Sequence, residues 1–339
     1  MARGWSQGEL AARAGIPRTT ISAIEGQRLT PSVTTALSLA RALECSVEEL
    51  FGGTGSSKIA GTEWAWPSLM EPCRYWDALV VGRSLLYPVE SLAVNTAPHD
   101  GVWQGGVGRD VASSGIAEKT LVVACCDPAA GILAAEYARA SGFRMLLMQR
   151  GGEAALTLLK QGLVHVAGVH RSTSEKPMRN AEAVRAQVGK GHRLLRLADW
   201  EECLVLPGHG RARSLSSIAK NCRQWALREP GSAARECLDE LLGARVPLGH
   251  TVPSHMAVAD AVRAGWADAG VCVRIVAENA GMRCLLVRTE SLDLCFADSQ
   301  LHDPRIQALI SLLRSRGQRR LISELPGYDA RHTGEMMSA

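Results

Sequence analysis

The chain has 339 residues, 46% of them hydrophobic, and a formal net charge of +4. That length supports two or more domains with a sizeable core. The mild positive balance permits nucleic-acid binding without supplying a basic tail, no apolar run could span a bilayer, and no signal peptide precedes the first helix, so a cytoplasmic protein with no membrane partner is expected.

The first informative run is Ser6 to Gly26. Ser6 is a good N-cap and Glu9 stands three residues on, a capping box. Leu10 and Ala14 share one face of the helix that follows, and Gly15 supplies the left-handed residue that ends it. Pro17 suits the first turn of a second helix, because its missing N–H has no partner there anyway. Ile21 and Ile24 then face inward, while Arg18, Thr19 and Ser22 face out. Two short helices joined by a tight glycine turn make a helix-turn-helix.

Gly52 to Ser57 reads as a flexible linker. From Thr62 to Gly108 the chain is rich in Trp, Pro and Gly. Ala78–Arg83 and Ser84–Val89 read as short strands, with Trp64, Trp66, Trp76 and Trp103 as a small apolar core. Asp100-Gly101 reads as a turn. From Thr120 strands and helices alternate. Leu121–Cys126, Arg144–Gln149 and Val164–His170 are strands, and helices follow at Ala129–Ala140 and through Ala154–Leu159. A second half follows with strands at Gln224–Arg228 and Ala267–Val273, helices at Glu236–Leu242 and Ser254–Val262, and a long extended stretch from Met282 to Phe296. Pro304–Arg316 and Arg319–Leu325 close the pattern as helices. Such alternation indicates parallel sheet covered by helices on both faces. The ten cysteines form no C-x-x-C pair and most lie in apolar runs, so they read as small buried hydrophobes. Zinc spacing is absent, so neither a metal site nor a cofactor is expected.

The N-terminal run resembles the Cro/C1-type (XRE) helix-turn-helix family through Ser6, Gln7, Leu10, Ala11, Gly15, Thr20, Ile21, Ser22, Ile24, Glu25, Gly26 and Pro31. Ala36–Leu43 and Ser46–Phe51 match its last two helices. The resemblance implies that the second motif helix enters the major groove, with Arg18, Thr19 and Ser22 as base readers and Pro17 and Thr20 beside them. Gln7 and Arg28 are the expected phosphate contacts. The family places a full helix ahead of this motif, whereas Met1–Trp5 precede it here. The expectation is that Leu10, Ile21 and Ile24 lose cover and that DNA binding weakens.

The second half is similar to the PBP-like family, a relative of molybdate-type binding proteins. The resemblance rests on Val164–His170, Leu204–Gly208, Arg228–Arg235, Ser254–Gly270 and Leu325–Asp329. It implies a type II periplasmic-binding-protein-like fold of two α/β lobes. The expected architecture is α + α/β: a helix-turn-helix domain at 1–52, a linker at 53–61, a small β-rich module at 62–118 and a ligand-binding domain at 119–330. Lobe I comprises 119–206 and 297–330, and lobe II comprises 207–296.

Ligands of such folds bind beyond strand carboxyl ends, near helix N-termini that suit anions. The candidate ligand residues are therefore Cys126, Asp127, Gly151, Gly152, Ser232, Ala233, Ser254 and His255, with Arg228 and Arg235 to neutralise an anion. Arg235 could equally form a salt bridge on its helix, and His255 could equally cap its own. The family usually has Gly-Thr where Ala233-Ala234 stand and Ser where Gly152 stands. His165 and His170 read as buried, hydrogen-bonded histidines, and Asp268 as a partner of nearby backbone. No nucleophile–base spacing points to catalysis, so no enzyme is expected. The reading is a homodimeric regulator of operator DNA controlled by a small molecule or an oxyanion such as molybdate. Its alternative is a cytoplasmic oxyanion or small-ligand binder linked to molybdenum-cofactor metabolism, with a DNA-binding domain that no longer functions.

Overall fold

The computed structural model describes residues 5–26, 28–45, 47, 50, 62–68, 71–90, 98–110, 115–208 and 214–339. Two compact units comprise Met1–Trp76 with Tyr87–Ser113, and Asp77–Leu86 with Ser114–Ala339. The hairpin tip at 77–86 thus belongs with the second unit rather than with the β module. The expected linker at 53–61 lies outside the described residues.

Three helices open the first unit: α1 (Gln7–Ala14), α2 (Arg18–Glu25) and α3 (Val33–Leu43). The capping box forms: Glu9 N–H donates to Ser6 Oγ and Ser6 N–H donates to the Glu9 carboxylate, at 3.3 and 2.7 Å. Gly15 ends α1 at φ +65°, and Pro17 stands as the N-cap of α2, one position ahead of the first turn. Ala11, Ile21 and Leu39 are buried together, with Leu10, Ala14, Ile16 and Ile24 packed against them. The expected loss of cover does not occur at Ile21, which is 2% exposed, because α1 and α3 close over it.

Five strands follow: β1 (Thr62–Trp64), β2 (Cys73–Val80), β3 (Arg83–Pro88), β4 (Gly101–Gln104) and β5 (Val107–Asp110), in sheet order β1-β3-β2-β4-β5. Trp64 packs edge-on against Tyr75 and Trp103, and Trp66 against Tyr87. Trp76 instead donates its indole N–H to the Pro98 carbonyl. Asp100-Gly101 is not a turn: Asp100 is buried, and Gly101 starts β4 opposite Tyr75. The turn joining β4 and β5 is Gly105-Gly106.

The second unit is built on ten strands. Lobe I contributes β6 (Thr120–Cys125), β7 (Arg144–Gln149) and β8 (Val166–Ser172), with α4 (Ala130–Ser141), α5 (Gly152–Lys160) and α6 (Arg179–Gln187). Every residue of β6 is buried, as in a parallel strand covered on both faces. Next come β9 (His192–Leu206), α7 (Leu215–Asn221), β10 (Trp225–Leu227), α8 (Ala233–Leu242), β11 (Gly249–Thr251), α9 (His255–Arg263), β12 (Ala269–Val273), α10 (Arg274–Asn279) and β13 (Arg283–Ala297). Helices α11 (Pro304–Arg314) and α12 (Arg316–Ser323) return to lobe I, and short strands β14 (Tyr328–Asp329) and β15 (Met336–Ser338) pair with β9.

The main path of the sheet runs β11-β10-β12-β9-β13-β8-β6-β7. Strands β6, β7 and β8 are parallel to one another, as are β10, β11 and β12, but β9 and β13 run antiparallel to their neighbours. The two 15-residue strands β9 and β13 pair antiparallel from Arg283↔Leu206 to Ala297↔His192, because the chain crosses between the lobes once in each direction. Cys203 and Cys284 form a disulfide between these strands, so these two are not the isolated hydrophobes expected from the sequence.

His165, just ahead of β8, is buried and held by two backbone groups. Its Nδ1 accepts from Val122 N–H and its Nε2–H donates to the Leu79 carbonyl, both at 3.0 Å. That pattern requires neutral imidazole, and burial, reinforced by Arg305, pushes its pKa down to about 4. The unfolded chain takes up a proton near pH 6.5 and the folded chain does not. The stabilisation is therefore complete above pH 6.5 and lost as pH falls toward 4, about 3 kcal/mol in all. Urea unfolding at pH 7.5 and 4.5 should show a smaller loss for His165→Gln than for the natural chain. Equal losses would refute this assignment.

Candidate functional site

In the first unit, α2 presents Arg18 and Thr19 to solvent from its first turn, with Pro17 exposed ahead of them. Thr20 and Ser22 are half-buried, and Arg28 is exposed beyond the helix. Gln7 donates its side-chain amide to the Glu25 carboxylate at 2.7 Å, which ties the start of α1 to the end of α2. One amide hydrogen remains for a phosphate, so Gln7 is positioned by Glu25 rather than loose on the surface.

In the second unit the polar residues converge where β9 and β13 pass from lobe to lobe. Glu290 pairs with Trp200 and Arg288 with Glu202 in the strand register. His170 of β8 lies beside them: its Nδ1 is 2.7 Å from Glu290 Oε2 and 3.9 Å from Glu202 Oε1. Its Nε2 is 3.0 Å from the sulfur of Cys126, at the end of β6. The Trp200 ring packs edge-on against His170, at 4.7 Å, and near His255 and Tyr328. Tyr328 donates its hydroxyl to Asp127 at 2.6 Å, and Asp127 also accepts from Ala129 N–H.

These groups are buried, yet several have nothing to bond. Both ring nitrogens of His255, both carboxylate oxygens of Glu202 and the indole N–H of Trp200 have no hydrogen-bond partner among the described residues. His255 is 2% exposed and Glu202 is fully buried. Burial, with Arg228 and His170 adding to it, holds the His255 pKa well below its ordinary value, so the ring is neutral. Burial and the neighbouring Glu290 charge push Glu202 up. Burial opposes charge on His170, but Cys126 and Glu290 outweigh it and hold its pKa well above the ordinary range. A buried polar atom without a partner costs about 1–3 kcal/mol, so a cluster of them indicates a binding partner.

The other expected ligand residues have other engagements. Arg228 is buried but donates from Nε and Nη2 to the Glu229 carboxylate, at 2.8 and 2.9 Å. Arg235 pairs with Asp239 one turn along α8, the salt-bridge alternative. Ser232 caps α8 and donates its hydroxyl to the Glu229 carbonyl. Ala233 is buried, its carbonyl accepting from Arg288. Ser254, not His255, caps α9. Gly152 packs over the backbone of Gly168. Asp268 accepts from the N–H groups of Arg223 and Gln224.

Gly151 sits where the lobes meet: a Cβ there would lie 2.8 Å from Glu229 Oε1. Arg171 crosses the same seam, donating to the Gly231 carbonyl at 2.6 Å and pairing with Glu236 at 3.1 Å. The lobes are therefore in contact over the buried centre. Pro128 and Met256, chain neighbours of Asp127 and His255, line a groove of about 300 Å³.

Cys126, Asp127, Arg228 and His255 thus gather at or beside the centre. Sequence reading missed Trp200, Glu202, Arg288, Glu290 and Tyr328 and treated His170 as core. Charged residues at mid-strand, as in Asp199–Glu202, were the available signal, since a buried strand excludes them without a partner.

A helix-turn-helix family matches residues 1–50 and a PBP superfamily domain matches residues 134–314. The uncharacterized protein YvgK of Bacillus subtilis (strain 168) is 30% identical over 117 residues, 32% of this chain. The chain spans 37% of that relative's length. A Clostridium perfringens protein, assigned as a phosphate ABC transporter substrate-binding protein and solved with bound phosphate, superposes with a TM-score of 0.50 at 11% identity. That match covers 61% of this chain and 99% of the other, and it shows the fold alone. PhnD1 from Prochlorococcus marinus (MIT 9301), solved with methylphosphonate, gives a TM-score of 0.45 at 12% identity over 66% of this chain and 93% of that one. No helix among the described residues is long and apolar enough to cross a membrane. With over half its length matched, this chain belongs to the PBP superfamily, and it carries a helix-turn-helix domain.

Proposed function

We propose that the chain is a cytoplasmic DNA-binding regulator whose hold on an operator is set by a small effector bound between the lobes. One observation carries this: Glu202 of the lobe-joining strand β9 and His255, whose ring lies beside Trp200 of that strand, are buried with no side-chain hydrogen-bond partner among the described residues. An effector that bonds them stabilises the closed lobes over the open ones, and only such a difference in affinity can move an equilibrium. Binding rather than catalysis is the role inferred. An oxyanion such as molybdate is the effector the family resemblance supplies. On the DNA side, Arg18 and Thr19 are exposed at the start of α2, the place from which such helices read bases. A homodimer fits this reading, placing two such helices about 34–36 Å apart on a two-fold operator.

Selection from a random DNA pool tests the proposal. The expected result is a sequence bound about 10³-fold or more tighter than bulk DNA at physiological salt. Arg18→Ala should then lose about 1–3 kcal/mol on that sequence, with little change on bulk DNA. A protein that prefers no sequence is not an operator-binding regulator.

A further inference from the structure

The centre between the lobes presents a ligand set more suited to a cation than to an oxyanion. The Cys126 sulfur and one ring nitrogen each from His170 and His255 lie within 4.8 Å of one another, and all three residues are buried. Bonds of about 2.0–2.3 Å to nitrogen and sulfur hold tetrahedral ligand atoms roughly 3.5 Å apart, so side-chain shifts of up to about 1 Å bring this set around one ion. The His170 Nδ1 is 2.7 Å from the Glu290 carboxylate. Once the ring gives up its Nε2 proton, Nδ1–H donates to Glu290 and the Nε2 lone pair faces Cys126, the outer carboxylate arrangement that orients metal-bound histidines. Neither nitrogen of His255 has a hydrogen-bond partner among the described residues. Lacking such a partner, a neutral imidazole has a lone pair to give to a metal.

The charges point the same way. The arginines that could offset an oxyanion's charge already have acidic partners: Arg228 is paired with Glu229, and Arg288 with Glu290 and Glu240. Asp127 and Glu202 place two more buried carboxyl groups at the same centre.

We propose that Cys126, His170 and His255 bind one d-block cation of the zinc type, with Glu290 orienting His170. Thiolate and imidazole together suit Zn²⁺, Co²⁺, Ni²⁺ and copper rather than Mg²⁺ or Ca²⁺. Binding releases the Cys126 thiol proton and the proton on His170 Nε2 to solvent, and three protein ligands leave one position for water or a small molecule. Cys126 and His170 belong to lobe I and His255 to lobe II, so the ion fastens one lobe to the other. This inference rests on the reading of the centre as the effector site and names the effector's chemical class.

The test uses the full chain, stripped with a chelator and titrated with Co²⁺ and Zn²⁺. One equivalent of Co²⁺ should give a thiolate-to-cobalt charge-transfer band, bleached by Zn²⁺. Cys126→Ser should abolish the band, Glu290→Gln should weaken Zn²⁺ binding about 10–100-fold, and His255→Gln, which removes a ligand, should weaken it more. Circular dichroism checks that each variant folds. Should Cys126→Ser fail to fold, the His255→Gln titration decides. A folded natural chain without the band, or a band that survives Cys126→Ser, overturns the proposal. Thermal shifts with molybdate and phosphate run alongside. Stabilisation by molybdate and not by Zn²⁺ overturns the cation while leaving ligand control intact. Tight Zn²⁺ binding by this triad that leaves operator affinity unchanged upholds the metal site and removes the regulatory reading.

Discussion

Trp200→Ala is expected to destabilise the second unit by about 3–5 kcal/mol, the usual result of deleting a buried indole. Trp200 is fully buried in the middle of β9, and its ring contacts His170, His255 and Tyr328. These three belong to β8, α9 and β14, so the indole fills the space where separate parts of both lobes meet. Alanine leaves a cavity edged by imidazoles and a phenol, which backbone pinned in the central sheet pairs cannot collapse to fill. For a unit of this size the loss corresponds to a fall in Tm of roughly 6–20 °C. Trp200→Phe should lose less, because it retains a ring and removes an indole N–H that has no partner among the described residues. Thermal and urea unfolding of both variants measure this. A loss below about 1 kcal/mol for alanine would mean that the ring does not support the lobes.

The parts that were legible are those whose cause is local. Ser6 and Glu9, then Gly15, mark the ends of α1 within a few residues, and the structure shows each of these bonds and angles. The apolar runs of β6, β7 and β12 are strands because both faces are covered. Strand β9 was less legible, because Asp199, Glu201 and Glu202 interrupt its apolar pattern. Their partners come from far along the chain: Ser291 of β13 donates to Asp199 and Arg274 pairs with Glu201, while Glu202 has Arg288 opposite it in the register but no hydrogen bond to its carboxylate among the described residues. The site was illegible for the same reason. Cys126, His170, Glu202, His255 and Glu290 come from five separate elements, and no spacing rule links ligands so far apart. The helix-terminus argument found Cys126 and His255, but it also selected Ser232 and Ser254, whose hydroxyls serve their own helices.

Asn180 drew no attention as sequence, yet its removal should rank with that of Trp200. It lies in α6, buried, and fastens β8 to β13. Its amide NH₂ donates to the Ser291 carbonyl at 2.8 Å and to Asp293 Oδ2 at 2.7 Å. Its Oδ1 accepts from the N–H groups of Arg171 and Ser172, at 2.5 and 2.9 Å, just beyond His170. Asn180→Leu keeps the bulk but leaves two N–H donors, a carbonyl and part of a carboxylate without these partners. At about 1–3 kcal/mol for each buried group so left, a loss of about 3 kcal/mol or more is expected in urea unfolding. Arg196 still pairs with Asp293, at 2.6 Å, so that carboxylate is not wholly abandoned. Asn180→Asp distinguishes lost bonds from lost shape. It keeps the acceptor toward β8 but sets a second carboxylate against Asp293, whose pKa burial already raises. Protonating either acid relieves the repulsion, so the folded variant binds a proton more readily than the unfolded one. Its deficit should therefore be largest at pH 7 and shrink as pH falls toward 5. A pH-independent deficit, or a Leu variant as stable as the natural chain, would show that these bonds do not hold β8 in place.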